Sequence, residues 1–334
     1  MTAPILEVKG LSKHFAQRRS WLGLLTGNDG GTIPAVDDVS FTLAENETLG
    51  LVGESGCGKT TTGKAILKLM PVTAGEIRYR GQDITALTAG EFRPLRREIQ
   101  MIFQDLDAAL NPKMRIESIL REAIGLCEPE LDSDGLRRRT YELLELVNLK
   151  KNKLANFPSE LSGGEKRRIG IARVLAVRPK LIVADEPTSA LDVSIQAQVI
   201  SLLRDLQSQF GLSYLFISHD LPLVELVSHR VAVMYLGQIV ELGSAPRIAH
   251  TPHHPYTSVL WSSLAEKRSR EAVTGAAPAW GVFDFERPSG GCRFAPRCPV
   301  YAARGKPAAC TDPHNAPRLR EIEPGHSVAC HFPL

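Results

Sequence analysis

Two kinds of apolar spacing run along the chain, and their order predicts its architecture. Near the start, "ILEVKGLSKHF" and "VDDVSFTL" alternate apolar and polar positions between Gly, Ser and Asp, the period of half-buried strands. Between them, "AQRRSWLGLLTGNDGGTIPA" is Gly-rich around a short apolar centre, and a surface loop is expected there. "TLGLVGESGCGKTTTGKAILKLM" then reads strand, Gly-rich loop, helix. Further on, "KLIVAD" and "LSYLFISHD" are short continuous apolar runs, as in strands covered on both faces of a parallel sheet. Ile195, Val199, Leu202, Leu203 and Leu206 recur at helical spacing between those runs, predicting an amphipathic helix after Asp192. Strand, helix, strand is the parallel α/β unit. Residues 105–180 lack such runs and read as mostly helical, "DGLRRRTYELLELVNL" most clearly.

Past about residue 265 the periodicity stops. "EKRSREAVTGAAPAWGVFDFERPSGG" is rich in small residues, Gly and Pro, which predicts a linker over 265–291 between a main domain, 1–264, and a small tail, 292–334. A length of 334 residues suits one large domain with such an appendage, and no internal repeat is apparent.

Composition then excludes whole classes of function. A net charge of +3 gives no electrostatic ground for a nucleic-acid partner. The longest apolar runs, such as "VAVMYL", fall far short of the roughly 20 residues of a spanning helix. The start "MTAPILEVKG" has no basic region followed by an apolar stretch, so a cytosolic protein is expected unless a partner holds it at a membrane. Of six cysteines, Cys57 and Cys127 are scattered while Cys292, Cys298, Cys310 and Cys330 crowd into the tail. Without an export signal, that cluster reads as metal or cofactor ligation before it reads as disulfides.

The chemistry starts at "GESGCGKTTTG", which carries the spacing G-x-x-x-x-G-K-[ST] of a phosphate-binding P-loop. Gly53, Gly56 and Gly58, with Ser55 and Cys57 between them, let the backbone amides close around phosphate oxygens at a helix N-terminus. Lys59 supplies a point charge to the β- and γ-phosphates, Thr60 a hydroxyl to Mg²⁺, and Thr61 a further hydroxyl. In "LIVADEP", Asp185 ends an apolar strand, where such proteins hold Mg²⁺ through water. Glu186 beside it is placed to polarise an attacking water.

"LSGGEKRRIGIARVLAVRPKLIVADEPTSALD" resembles the ATP-binding-cassette (ABC) ATPases almost residue for residue. The resemblance implies a P-loop NTPase (RecA-like) α/β nucleotide-binding domain with a helical subdomain at about 105–180. It also implies that Ser162, Gly163 and Gly164 of "LSGGE" serve the ATP bound by a neighbouring cassette, two cassettes sandwiching two ATP molecules head to tail. Gln104 in "MIFQD" matches the glutamine that reaches Mg²⁺ and the water, on a loop touching the membrane partner. Asp192 in "SALD" matches the loop crossing the dimer interface, and His219 in "LFISHD" the switch histidine at the γ-phosphate. Phe15 stands where family members stack an aromatic ring on adenine; the competing readings are a core residue, or Trp21 in the loop that follows.

The tail narrows the branch. "GSAPRIAHTPHHPYTSVLW", "GCRFAPRCPVYAARGKPAAC" and "HSVACHF" resemble the oligopeptide/dipeptide importer ATPases, and the insertion after Phe15 resembles their F-type subunit. Departures are Glu165 where glutamine is commoner, Thr62 where leucine is usual, and "RIAH" where "IF" usually occurs. The resemblance implies an ATPase on the cytoplasmic side of a bacterial inner membrane that powers import of peptides or of a related small solute. Its implied partners are two membrane permeases, a second ATPase subunit (a heterodimer, with a homodimer as the alternative) and an extracytoplasmic substrate-binding protein. The four cysteines are separated by five, eleven and nineteen residues, unlike zinc-ribbon knuckles. Four thiolates, with Pro299 after Cys298, suit a 4Fe–4S cluster. Structural zinc and unligated thiols are the alternatives, with His331 as a substitute ligand. Rival functions are a soluble ABC ATPase, as in iron–sulfur assembly, and an Fe–S-dependent, redox-regulated ATPase.

Overall fold

The structure, a computed structural model, describes residues 3–16, 32–105, 109–270 and 290–334. Most of the Gly-rich insertion, with Trp21, and most of the expected linker lie outside these residues.

β1 (Leu6–Ala16) and β2 (Thr32–Leu43) pair antiparallel, as their alternation predicts, and β1 also pairs β4 (Ala74–Tyr79), with β5 (Gln82–Asp83) at the edge. The second sheet is the larger. Its central strands are β3 (Thr48–Val52), β7 (Leu181–Asp185) and β8 (Ser213–Ile217), and every residue in all three is buried. β6 (Ile99–Ile102), β7, β8, β3 and β9 (Arg230–Tyr235) run parallel in that spatial order. Successive residues point to opposite faces, so Leu49 and Leu51 join one apolar layer while Val52 joins the other.

α1 (Lys59–Ile66) leaves the loop after β3. Between β6 and β7 the chain is helical as expected: α2 (Ile116–Gly125), α3 (Ser133–Leu146) and α4 (Gly163–Ala176) pack on one another. α5 (Val193–Phe210) is the predicted amphipathic helix and buries Val199, Leu202, Leu203 and Leu206. Gly211 closes it in a left-handed conformation, with φ of 63°, that accepts glycine at no steric cost.

Two expectations about the C-terminal part change. α6 (Leu221–Val227) and β10 (Gln238–Ser244) are followed by α7 (Pro255–Arg270), a helix that runs six residues into the segment read as linker. The tail, moreover, is not a separate appendage. β11 (Arg320–Glu323) and β12 (His326–Val328) pair antiparallel, and β12 pairs β10, so the tail completes the eight-stranded sheet. A buried carboxylate fixes the junction: Glu241 of β10 accepts hydrogen bonds from the His253 and His254 amides and pairs with His326 Nε2 at 2.8 Å. Glu241 and His326 are both fully buried.

Candidate functional site

The P-loop follows from where the backbone must pass. A Cβ at Gly53 would meet the Met234 carbonyl at 2.1 Å and one at Gly58 the Ala35 carbonyl at 2.3 Å, both in positive φ. Only glycine lets the loop lie that close to β2 and β9. Ser55 and Gly56 form the exposed tip, and Cys57 is buried beneath it. Burial raises the Cys57 thiol pKa, so it packs as a small apolar group. Lys59 is 6% exposed and its ammonium donates to the Gly53 and Glu54 carbonyls at 2.8 and 2.9 Å, holding the charge inside the loop. Thr62, in place of the usual leucine, is fully buried but satisfied, because its hydroxyl donates to the Gly58 carbonyl at 3.0 Å.

Five expected residues meet at the C-terminal ends of the parallel strands. Thr60 Oγ1 donates to Asp185 Oδ1 at 2.9 Å. Burial pushes the Asp185 carboxyl up, opposed by the Thr60 hydrogen bond and reinforced by the Glu186 charge. A divalent cation at this hydroxyl–carboxylate pair would reverse that penalty. Glu186 is gripped from two sides, by Gln104 Nε2 at 2.8 Å and His219 Nδ1 at 2.9 Å. Its backbone takes φ of 46°, strain of about 1–3 kcal/mol for a non-glycine residue, while its amide donates to the Ile217 carbonyl. Gln104 and His219 are exposed, while the Glu186 side chain between them is only 17% exposed.

Ser162 caps α4 and shares a capping box with Glu165: each accepts the other's backbone N–H. Lys153 pairs with Glu165 at 2.7 Å. Gly164 is a packing glycine, because a Cβ there would meet Ile195 at 2.8 Å. Ser162 and Gly163 are exposed, and so is Asp192, which caps α5 by accepting the Ile195 N–H. The hydrogen bonds of Ser162 and Asp192 are to their own helix starts, not to the P-loop.

Sequence reasoning missed the residue that links these parts. Arg167 of α4 is 4% exposed and donates to the Phe103 and Gln104 carbonyls and to Ser189. It therefore joins the helix headed by Ser162 to the loops carrying Gln104 and Asp192. Burial lowers its pKa, with Asp105 opposing. The available signal was a cation at a position of α4 that faces inward.

Phe15 is exposed, not core, at the end of β1 opposite Ile33, with Lys13 Nζ 5.1 Å from its ring centre. Ala35, two residues along β2, borders the P-loop, so an open aromatic face stands beside the loop.

The tail cysteines converge. Cys292, Cys298, Cys310 and Cys330 line one small pocket with His254, Phe294 and Phe332, and the Cys292 amide donates to the Cys310 carbonyl. Burial holds the thiols of Cys292 and Cys310 above the usual range and pushes Cys330 up to about 11. Among the described residues, no three of these sulfurs lie within 4.8 Å of one another. Tetrahedral zinc, with Zn–S bonds of about 2.3 Å, needs sulfurs closer than that. His331 Nε2 is hydrogen-bonded to the Asn315 carbonyl and so is committed elsewhere.

Comparison with known proteins places both halves. Residues 36–189 match the family model "ABC transporter", and 240–304 match "Oligopeptide/dipeptide transporter, C-terminal region". A putative peptide import ATP-binding protein of Brucella ovis is 43% identical over 98% of this chain and 97% of its own length. The oligopeptide transport ATP-binding protein AppF of Bacillus subtilis is also 43% identical, over the same shares. Among solved structures, the dimeric post-hydrolysis state of the ATP-binding cassette MJ0796, bound to ADP and Pi, superposes with a TM-score of 0.63 at 25% identity. That match covers 72% of this chain and 98% of the other.

Proposed function

The chain belongs to the ABC transporter ATPases, in their oligopeptide/dipeptide branch, and we propose that it powers peptide import as one half of a head-to-tail pair of cassettes. One observation carries the pairing. The nucleotide half-site is assembled within the chain, whereas Ser162, Gly163 and Asp192 stand exposed at helix N-termini with no phosphate-binding loop of their own. Helix N-termini attract anions, so these groups suit the triphosphate held by a companion. The peptide cargo is supported by what the relatives are called.

Lys59 and the loop amides bind the phosphates, and Phe15 stacks on the base. Thr60, Asp185 and Gln104 would hold Mg²⁺, which supplies charge neutralisation at the phosphates. Glu186 accepts the proton of the attacking water, and Gln104 and His219 orient its carboxylate toward the γ-phosphate. Arg167 transmits the arrangement of the Gln104 loop to the interface helix.

On this reading the chain sits on the cytoplasmic side of a bacterial inner membrane, with two membrane permeases as further partners, an extracytoplasmic binding protein beyond them and a homologous ATPase as companion. A groove of about 1030 Å³ beside Gln104, with Phe103 and Leu126 exposed on it, suits a permease segment of apolar and acidic character, because Arg93, Arg97 and Arg173 also line it. No described helix is long and apolar enough to cross a membrane.

For the tail we propose a 4Fe–4S cluster, on the ground that four cysteines line one pocket. When bound, a cluster would cross-link the four segments that carry these cysteines. Anaerobic purification should give brown protein with about four irons per chain; colourless protein holding one zinc refutes this assignment.

The pairing is tested with Glu186→Gln. That variant with ATP and Mg²⁺ should lose turnover by about a hundredfold or more and accumulate as a closed dimer, with the companion subunit or itself. Adding Ser162→Arg should abolish the dimer while leaving ATP binding by the monomer. A dimer that survives Ser162→Arg defeats the head-to-tail arrangement.

A further inference from the structure

We propose that Arg297 of the cysteine tail is a positioning residue for the nucleotide site, setting ATP affinity by holding the P-loop residue Glu54. The contact is bidentate: Arg297 NH1 reaches Glu54 Oε2 at 2.9 Å and NH2 reaches Oε1 at 2.8 Å. A forked pair of this kind fixes orientation as well as distance. Neither partner is free to wander. The guanidinium lies over the Tyr235 ring, 5.8 Å from its centre, and Tyr235 meets Phe294 edge-on and Tyr256 tilted.

Glu54 is held at every polar group it has. Its amide donates to the buried Tyr256 hydroxyl at 3.1 Å, its carbonyl accepts from Lys59 Nζ at 2.9 Å, and its carboxylate belongs to Arg297. The tail thus grips the residue whose carbonyl holds the phosphate-binding lysine. Moving Arg297 moves Glu54, and Lys59 with it. Cys298 is the next residue, and Phe294 three positions earlier lines both the aromatic cluster and the thiol pocket. Rearrangement of the cysteine pocket therefore reaches the P-loop at Glu54, directly through Arg297 and by way of Phe294 and Tyr256. The inference needs no particular occupant of that pocket, so it stands or falls separately from the cluster assignment.

The test measures fluorescent-ATP binding and the ATP dependence of turnover in the full chain. Arg297→Ala should raise the dissociation constant and KM about tenfold, since the forked charge pair that fixes Glu54 is lost. Saturating kcat should change less than the KM. Arg297→Lys, which keeps charge but not the fork, should lie between. The exchange Glu54→Arg with Arg297→Glu should recover at least part of the affinity that either single change loses. A lowered melting temperature with unchanged nucleotide affinity would reduce Arg297 to a structural pin and overturn the proposal. If Arg297→Ala does not fold, Arg297→Lys and Glu54→Gln decide it: affinity equal to wild type in both overturns it.

Discussion

The face carrying Ser162, Asp192, Phe15 and His219 and the side covered by the cysteine tail are built on opposite plans. On the first, functional groups end in solvent: all four are exposed, and the caps at Ser162 and Asp192 satisfy only their own helices. On the second, charged groups find partners inside the chain. Arg297 takes Glu54, Arg293 takes Asp37 and the Leu236 carbonyl, and Glu241 takes three donors. An unpaired buried charge is costly and an exposed one is not, so the first face can wait for a companion and the second cannot. The difference agrees with the proposal that a companion completes the open face, and it makes the tail part of the fold.

Glu241→Ala is the harsher way to break that comparison. It would leave the amides of His253 and His254 and the Nε2 of His326 buried without an acceptor, at about 1–3 kcal/mol each. A loss on the order of 3 kcal/mol or more is expected, with β12 released from β10. Melting curves read the loss, and limited proteolysis should then cut within 311–334 first. Glu241→Gln, which keeps one acceptor oxygen, should cost less. Were the alanine variant as stable and as protease-resistant as wild type, the tail would after all be an appendage, as its composition suggests.

That composition misled for a physical reason. The central strands were legible because continuous apolar runs have few other uses, and "KLIVAD" and "LSYLFISHD" became β7 and β8. Lys59, Thr60, Asp185 and Glu186 were legible because fixed spacings place them just after β3 and at the end of β7, two strands of one parallel sheet with β8 between them. β11 and β12 were not, since strands of four and three residues carry too few positions to show a period. Pairing with β10 across more than eighty residues makes them strands. Arg167 and Arg297 were hidden differently. Each acts through groups distant in sequence, 63 residues away at Gln104 and 243 at Glu54, and a lone arginine reads as solvated surface until the fold names its partner.

Glu165→Gln is the gentler probe, aimed at the open face. If that face depends on a companion more than on its own ion pairs, removing one pair there should hardly matter. Glutamine can accept the Ser162 amide as glutamate does, so the capping box survives. What goes is the pair with Lys153 at 2.7 Å, with both side chains about a quarter exposed. After solvent screening, such a pair contributes about 0.2–1 kcal/mol. The sign with pH follows from its cause. Hydrogen bonding from Lys153, then from the Ser162 amide, holds the Glu165 carboxyl below the usual glutamate range. A depressed carboxylate stabilises the fold above its unfolded pKa, and that contribution fades as pH falls through the folded value. Wild type should therefore lead Glu165→Gln slightly at neutral pH, and the gap should close on acidification. Melting temperatures of both proteins from neutral to acidic pH measure it. A neutral-pH gap above about 2 kcal/mol, or one that persists through the carboxylate range, would show that the open face holds itself together by internal charge pairing, as the tail side does.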